Sequence, residues 1–217
     1  MSLILTSDFP STPVHAVAHR LTQIGPSARV AWIPPFTDSS RDTFRTAQQQ
    51  FRELGVEQLE YCDIDQDIDE VQLAYLSEYD AVYLGGGDPI RFRYNLLRSG
   101  AGGRVGQCIR AGRLVVAASG GALQLTQNVS LFRLQSESLA AVLATRDTYT
   151  ALGAVPYEIL PHVNVRDAAF LETVRSYSEH VDHEIVGLAD GGALLHDTPA
   201  TYESIGNVVR FHKGVRG

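Results

Sequence analysis

The stretch LVVAASGGALQL, residues 114–125, contains one polar side chain in a setting that calls for an explanation. Its first five residues are apolar, and they predict a buried strand. The strand ends at Ser119, two glycines follow, and the next residues have helical character. In open parallel sheets, reactive groups gather beyond the carboxyl ends of the strands. The pattern therefore predicts a tight strand-to-helix turn that exposes the Ser119 hydroxyl, as in the G-x-S-x-G nucleophile elbow.

Short apolar runs alternate with amphipathic stretches through the first half of the chain. Strands are predicted at LILT (3–6), ARVAWIPP (28–35), VEQLEYCDI (56–64), DAVYLGGG (80–87) and GRLVVAAS (112–119). Helices are predicted at TPVHAVAHRLTQIG (12–25), DSSRDTFRTAQQQFRELG (38–55), DIDEVQLAYLSEY (67–79) and RFRYNLLRSG (91–100). This alternation predicts an α/β fold, with a doubly wound, mostly parallel sheet sandwiched between helices.

The last third of the chain has a different pattern. Two segments are strand-like, VPYEILPHV (155–163) and HEIVGLADGGALLHD (183–197), and DAAFLETVRSYSEHV (167–181) is a predicted helix between them. The segment ESIGNVVRFHKG (203–214) predicts a closing antiparallel edge strand or hairpin. Because there is no repeat, low-complexity tract or long linker, we expect residues 1–217 to form a single domain.

Composition narrows the classes of function. The net charge of −7 argues against binding to nucleic acid, which requires a basic face. The first ten residues lack the pattern of a signal peptide, and no apolar run approaches the ~20 residues of a membrane span. Two cysteines, Cys62 and Cys108, do not suggest a disulfide framework. We expect a soluble cytoplasmic protein that binds neither nucleic acid nor membrane.

Ser119 has two interpretations from the sequence alone. It could act as a nucleophile at the turn, or it could cap the following helix by accepting hydrogen bonds from free amides. The small neighbours Ala117, Ala118, Gly120 and Gly121 suit a sharp turn, although the motif here reads A-x-S-x-G.

A nucleophilic serine needs a base, an orienting acid and amides for the oxyanion. The glycines that end the predicted strand DAVYLGGG make Gly87, together with Gly120, the candidate amide donors. His162 follows an apolar strand and a proline, and it is the candidate base. Glu137 is the candidate acid because its segment, FRLQSESLAAV, is otherwise apolar.

Other polar residues offer alternatives to these candidates. Asp147 and Asp88 compete with Glu137 for the role of the acid, and either could be a solvated turn residue. His15 and His19 have a spacing that could bind a metal, but no third ligand is nearby in the sequence. We therefore expect neither a metal nor another cofactor.

Taken together, these motifs resemble those of the peptidase E (aspartyl dipeptidase) and cyanophycinase family of serine peptidases. The resemblance lies in YLGGGDPIRF, AASGGA and LGAVPYEILPHVNVR, with weaker similarity in WIPPFTDS and in GLADGGALLHD through GNVVRFHKG. It covers nearly the whole chain in the right order. It implies a fold like that of the class I glutamine amidotransferases.

The resemblance also implies roles for individual residues. Ser119 would be the nucleophile, His162 the base, and Gly87 and Gly120 the oxyanion donors. Arg166, four residues after His162, is the local candidate for binding a substrate carboxylate, although it could equally form a surface ion pair. Asp88 stands where this family usually has an asparagine, and it is a candidate substrate contact.

The resulting expectation is a serine peptidase that hydrolyses short peptides through Ser119, His162 and Glu137, as a dipeptidase or carboxypeptidase. A cyanophycin-type exopeptidase or an esterase using the same triad is an alternative. So is a binding protein that has kept this fold and lost the chemistry. A homodimer is plausible for the fold, but no motif specifies an interface.

Overall fold

A computed structural model of the protein describes residues 2–9, 19–20, 22–25, 27–66 and 68–217. The predicted helix over 12–25 falls largely outside this part of the chain, and so does His15. The strands in these ranges are β1 (Ser2–Thr6), β2 (Arg29–Ile33), β3 (Gln58–Tyr61), β4 (Ala81–Leu84), β5 (Leu114–Ala118), β6 (Glu158–Pro161), β7 (Ile185–Leu188), β8 (Ala193–Thr198), β9 (Thr201–Ile205), β10 (Val208–His212) and β11 (Val215–Arg216). Of these described strands, seven form one sheet in the order β3-β2-β4-β5-β1-β8-β9, and four form a second sheet in the order β11-β10-β7-β6.

Helices connect most of the parallel strands. The α-helices are α1 (Asp42–Glu53), α2 (Glu70–Tyr75), α3 (Pro89–Arg98), α4 (Ala101–Arg110), α5 (Gly120–Leu123), α6 (Leu139–Thr145) and α7 (Ala168–Tyr177). Short 3₁₀ turns lie at Ser130–Gln135, Arg146–Tyr149, Val163–Val165 and Ser178–His180. No helix in the described ranges is both long and apolar enough to cross a membrane.

Side chains of the large sheet point alternately to two cores, as the two-residue period of a strand requires. On β1, Leu3 and Leu5 face the core that contains α3 and α4. Ile4, between them, faces the core that contains Phe51 of α1. Both faces are therefore covered, and the predicted sandwich of helices around a mostly parallel sheet is confirmed.

The predicted closing antiparallel strand or hairpin over 203–214 is found, and its two halves belong to different sheets. The structure divides this segment at Gly206, which has φ +80°. β9 before this glycine pairs with β8 in the large sheet, whereas β10 after it pairs with β7 in the small sheet. A third apolar core, which includes Phe211 of β10, lies against α6 and α7.

The two sheets place four strand ends near one another. In the large sheet, Thr6 at the end of β1 pairs with Ala118 at the end of β5. In the small sheet, Pro161 at the end of β6 pairs with Leu188 at the end of β7. Both pairs of strands are parallel, so residues just after each strand lie at the same edge of its sheet.

Candidate active site

Ser119 occupies a backbone conformation that is unusual for any residue with a side chain. It follows β5 directly and has φ +47° and ψ −114°. The two glycines after it allow the turn to pack against the end of β4. A Cβ on Gly120 would overlap the carbonyl oxygen of Gly87, and one on Gly121 would lie 2.7 Å from the carbonyl oxygen of Gly85. The chain therefore needs glycine at both positions behind the exposed hydroxyl.

The Ser119 hydroxyl is directed at a histidine and not at the following helix. Ser119 Oγ lies 2.9 Å from His162 Nε2. The side chain makes no capping hydrogen bond to α5. The helix-cap interpretation of Ser119 is therefore wrong, and the predicted meeting of Ser119 with His162 is found.

The carboxylate on the other side of the imidazole belongs to Asp190. Its Oδ1 lies 2.5 Å from His162 Nδ1. His162 follows β6 and Asp190 comes two residues after β7. Because these two strands are parallel neighbours, their ends bring the two side chains together. The imidazole is thus held between a hydroxyl and a carboxylate.

The prediction that Glu137 orients His162 is wrong. Both carboxylate oxygens of Glu137 accept hydrogen bonds from Arg133, at 2.7 and 2.5 Å. The hydrogen bond from Arg133 lowers the pKa of Glu137. Arg133 is nearly buried, with 7% of its side chain exposed. The carboxylate in this otherwise apolar segment is explained by its ion pair with a buried guanidinium.

The sequence around Asp190 carries a signal of a strand-end residue. Residues 189–194 read ADGGAL, and residues 118–123 read ASGGAL. Each segment follows an apolar strand and puts one polar side chain before two glycines. The repeated pattern marks Asp190 as a second strand-end residue, whereas Glu137 follows no strand.

Further hydrogen bonds hold the Asp190 carboxylate. Ser7 Oγ donates to Asp190 Oδ1 at 3.0 Å, and Asn164 Nδ2 lies 3.4 Å from Oδ2. Partial burial acts to raise the pKa of Asp190, but hydrogen bonds from His162, Ser7 and Asn164 outweigh it and lower the pKa. Asp190 is therefore ionised at neutral pH and stabilises positive charge on His162.

The two predicted oxyanion donors lie side by side next to Ser119. Gly87 has φ +133°, a conformation open to glycine. Neither the Gly87 amide nor the Gly120 amide has a hydrogen-bond acceptor within the described part of the chain. Both residues line a cavity that also reaches Ser119. Their N–H groups are therefore available to an oxygen bound at this site.

Two cavities open on either side of the Ser119–His162 pair. The larger one has a volume of about 620 Å³ and an acidic and aromatic lining that includes Asp8, Phe9, Trp32, Phe36, Asp38, Asp42 and Tyr83. The smaller one has a volume of about 190 Å³, and its lining includes Gly87, Gly120, Leu131, Phe132, Gln135 and Arg166. The two cavities therefore differ in charge as well as in size.

Arg166 and Asp88, the two predicted substrate contacts, have different surroundings. Arg166 lines the smaller cavity, and its buried Nε has no hydrogen-bond partner in the ranges described. Its guanidinium carbon lies 5.3 Å from the centre of the Phe170 ring. Asp88 instead caps α3 by accepting from the amides of Ile90 and Arg91, and it lines neither cavity. The structure gives no support to a substrate contact by Asp88.

No group of three or more metal-ligating side chains is found within the described ranges. Of the predicted histidine pair, His15 lies outside these ranges. Cys62 and Cys108 are both free thiols. Burial raises the pKa of each thiol, and neither residue lines the cavities beside Ser119.

Comparison with known proteins gives one family and a related sequence. The model of Peptidase family S51 matches residues 3–200. Peptidase E from Streptomyces coelicolor is 29% identical over 129 residues, which are 56% of this chain and 51% of that protein. The chain thus spans about half the length of the curated relative it matches.

Solved structures with the same fold cover almost the whole chain. One is a protein of Listeria monocytogenes EGD-e, described provisionally as a peptidase E, with 22% identity and a TM-score of 0.68 over 97% of this chain and 98% of that one. Another is a peptidase from an acI-B1 Actinobacterium, with 19% identity and a TM-score of 0.75 over 98% of this chain and 91% of that one. These likenesses confirm the predicted fold class. Together with the family match, they confirm the predicted resemblance, and the chain belongs to Peptidase family S51, a family of serine peptidases.

Proposed function

We propose that this protein hydrolyses short peptides, with Ser119 as nucleophile, His162 as base and Asp190 as the orienting acid. The observation that carries the proposal is the continuous array from Ser119 Oγ through the imidazole to Asp190 Oδ1, with distances of 2.9 and 2.5 Å. An ionised carboxylate at Nδ1 favours the tautomer with the proton on Nδ1. Nε2 is then free to accept the proton of the serine hydroxyl.

The reaction follows from this arrangement. Ser119 Oγ attacks the scissile carbonyl carbon while His162 Nε2 takes the hydroxyl proton, and Asp190 stabilises the imidazolium. The carbonyl oxygen becomes an oxyanion, to which the amides of Gly87 and Gly120 can donate. The imidazolium then protonates the leaving amine, and a water molecule activated by His162 hydrolyses the acyl-enzyme.

Substrate size and polarity are inferred from the two cavities. The smaller cavity, at about 190 Å³, has room for about one residue on its side of the scissile bond, and the larger one, at about 620 Å³, has room for more than one. Arg166 in the smaller cavity offers a guanidinium to a carboxylate. It supports a dipeptidase or carboxypeptidase that acts on a peptide carrying a carboxylate next to the scissile bond. The larger cavity accepts a bulky neighbour between its aromatic walls.

The decisive test is Ser119→Ala. We expect loss of peptide hydrolysis by about ten-thousand-fold or more, because removing the nucleophile leaves only binding and the oxyanion donors. Thermal unfolding should change little, since within the described residues the hydroxyl makes its one hydrogen bond with His162. Digestion of a peptide library, followed by mass spectrometry, measures the activity and also shows which bond is cut. Turnover retained in Ser119→Ala contradicts the proposal.

Labelling with a fluorophosphonate separates the proposal from its alternatives. A catalytic serine reacts covalently with this probe, whereas a binding protein of the same fold leaves it unreacted. Comparing peptides with the corresponding esters distinguishes a peptidase from an esterase that uses the same three residues. The intact array around His162 favours a catalytic protein over a binding protein.

A further inference from the structure

We propose that Ser7 is a positioning residue that holds the base and the acid of the site in their reactive orientation. This inference rests on the proposed function and adds a residue outside the three that take part in proton transfer. Ser7 is completely buried and comes directly after β1. It lies far from both partners in the sequence, and only the fold brings the three together.

The Ser7 hydroxyl joins His162 to Asp190. It accepts a hydrogen bond from the backbone amide of His162 at 2.7 Å. It also donates to Asp190 Oδ1 at 3.0 Å, the oxygen that binds the imidazole. One oxygen therefore fixes the backbone of the base and the carboxylate of the acid at the same time.

This anchoring matters because His162 has a costly backbone conformation. Its φ is +59° and its ψ is 34°, in the left-handed region that residues other than glycine seldom adopt. Such a conformation persists only where the surrounding structure determines it. The Ser7 hydroxyl is the acceptor that holds the His162 amide in this position.

The same end of β1 also fixes the other two parts of the site. The Ser119 amide donates to the Thr6 carbonyl at 3.0 Å. The Ser7 amide donates to the Gly192 carbonyl at 3.2 Å, within the turn that carries Asp190. Thr6 at the end of β1 and Ser7 directly after it thus hold the nucleophile, the base and the acid in place relative to one another, and Ser7 contributes its side chain as well as its backbone.

Ser7→Ala tests this role, and Ser130→Ala is the matched control. Ser130 is also a completely buried serine, but its hydroxyl has no hydrogen-bond partner within the described residues. We expect Ser7→Ala to lower kcat roughly 10- to 100-fold, because small misplacements of catalytic groups have effects of this order. KM should change by less than about twofold, since Ser7 lines neither cavity. Ser130→Ala should leave both constants unchanged.

A second measurement is independent of catalysis. The proton shared between His162 Nδ1 and Asp190 should give a low-field proton NMR resonance in the free protein. We expect Ser7→Ala to broaden or remove this resonance, and Ser7→Thr, which keeps the hydroxyl, to restore both the resonance and kcat. Ser130→Ala should leave it in place.

The outcomes separate this inference from the proposed function. If Ser7→Ala changes neither kcat nor the resonance, the positioning role is overturned. It is also overturned if Ser7→Ala loses activity because its Tm is lower while the resonance persists. If the wild-type protein hydrolyses no peptide but its resonance still depends on Ser7, the peptidase proposal fails and the positioning of His162 and Asp190 stands. If Ser7→Thr does not fold, Ser7→Ala and the resonance decide alone.

Discussion

Two turns of nearly identical sequence perform different tasks in this molecule. Residues 118–123, ASGGAL, form the turn after β5, and residues 189–194, ADGGAL, form the turn after β7. At the first, the chain bends sharply and begins a helix, and Ser119 has a positive φ. At the second, the chain reverses into β8, and the left-handed residue is Gly191, with φ +79°.

The difference shows that the neighbouring strands assign the role of each polar residue. Ser119 lies beside Gly87, shortly after β4, and the Gly87 amide has no acceptor among the residues that the structure describes. Asp190 lies beside His162, at the end of β6, where an imidazole needs a partner. A local pattern of one polar side chain and two glycines therefore marks a position at a strand end, and the topology of the sheets decides what that side chain can contact.

Among the tests of this comparison, replacing the acid Asp190 should have the largest effect on activity. We expect Asp190→Ala to reduce kcat by about ten-thousand-fold, because the imidazole loses the carboxylate that sets its tautomer and stabilises its positive charge. Kinetics on the best peptide from the library measure the change.

Glu137→Gln is the control for that prediction. It breaks the ion pair with Arg133 and should lower Tm while leaving kcat within about twofold, because both carboxylate oxygens of Glu137 bind Arg133 and the residue lines neither cavity. If Glu137→Gln abolished activity and Asp190→Ala did not, the assignment of the acid would be reversed.

Alanine at the second glycine of each turn gives an intermediate effect. A Cβ on Gly121 would overlap the Leu84 carbonyl oxygen, which is fixed backbone at the end of β4. A Cβ on Gly192 would lie 2.6 Å from Leu188 Cδ1, the end of a side chain that can rotate, and 2.8 Å from the Ala189 carbonyl oxygen. We expect Gly121→Ala to cost about 2 to 3 kcal/mol of unfolding free energy and Gly192→Ala about 1 to 2 kcal/mol. Denaturant unfolding measures the free energy of unfolding of both variants. If the two substitutions lower it equally, this distinction between the turns is contradicted.

The pH dependence of stability gives the smallest effect. The pKa of Asp190 is lowered in the folded protein, so its contribution to stability is present above the pKa of a free aspartate, about 4, and is lost as the pH falls through the folded value. We expect the Tm difference between wild type and Asp190→Asn to be largest near neutral pH and to shrink below about pH 4. Ser119→Ala removes no charged group, so the Tm difference between wild type and this variant should not show the same dependence on pH. A constant difference for Asp190→Asn would show that its carboxylate contributes no pH-dependent stability.

The sequence allowed prediction of those parts of the site that follow from a single strand. Ser119 and His162 each come directly after an apolar run, and this position alone indicates the edge where they lie. The sequence does not predict the role of Asp190, because its proximity to His162 depends on the parallel pairing of β6 with β7 in a second sheet. Hydrophobic patterns indicate that a strand exists, but they do not indicate which strand it pairs with.

The same limit applies to the end of the chain, where the pattern predicts antiparallel strands without indicating the sheet that each one joins. Residues 203–214 have the pattern of a closing edge strand or hairpin, and the break at Gly206 assigns its halves to different sheets. A charge in an apolar segment needs a partner, and this is the basis on which the sequence predicts Glu137 as the acid. The partner in the structure is Arg133, four residues before it in the chain, and not a catalytic group.

The position of β1 inside the large sheet, between β5 and β8, has a consequence for when activity appears during folding. Leu3 pairs with Val115 on one side of the strand and with His196 on the other. These paired residues are far apart in the sequence, so each pairing closes a long loop of chain. Loop closure costs conformational entropy before the contacts stabilise the fold, and folds of this kind form slowly. A fragment that ends before residue 190 lacks the acid, however well its first strands assemble. Recovery of turnover after dilution from denaturant should therefore be among the last signals to return, after the compact shape and most of the helix content.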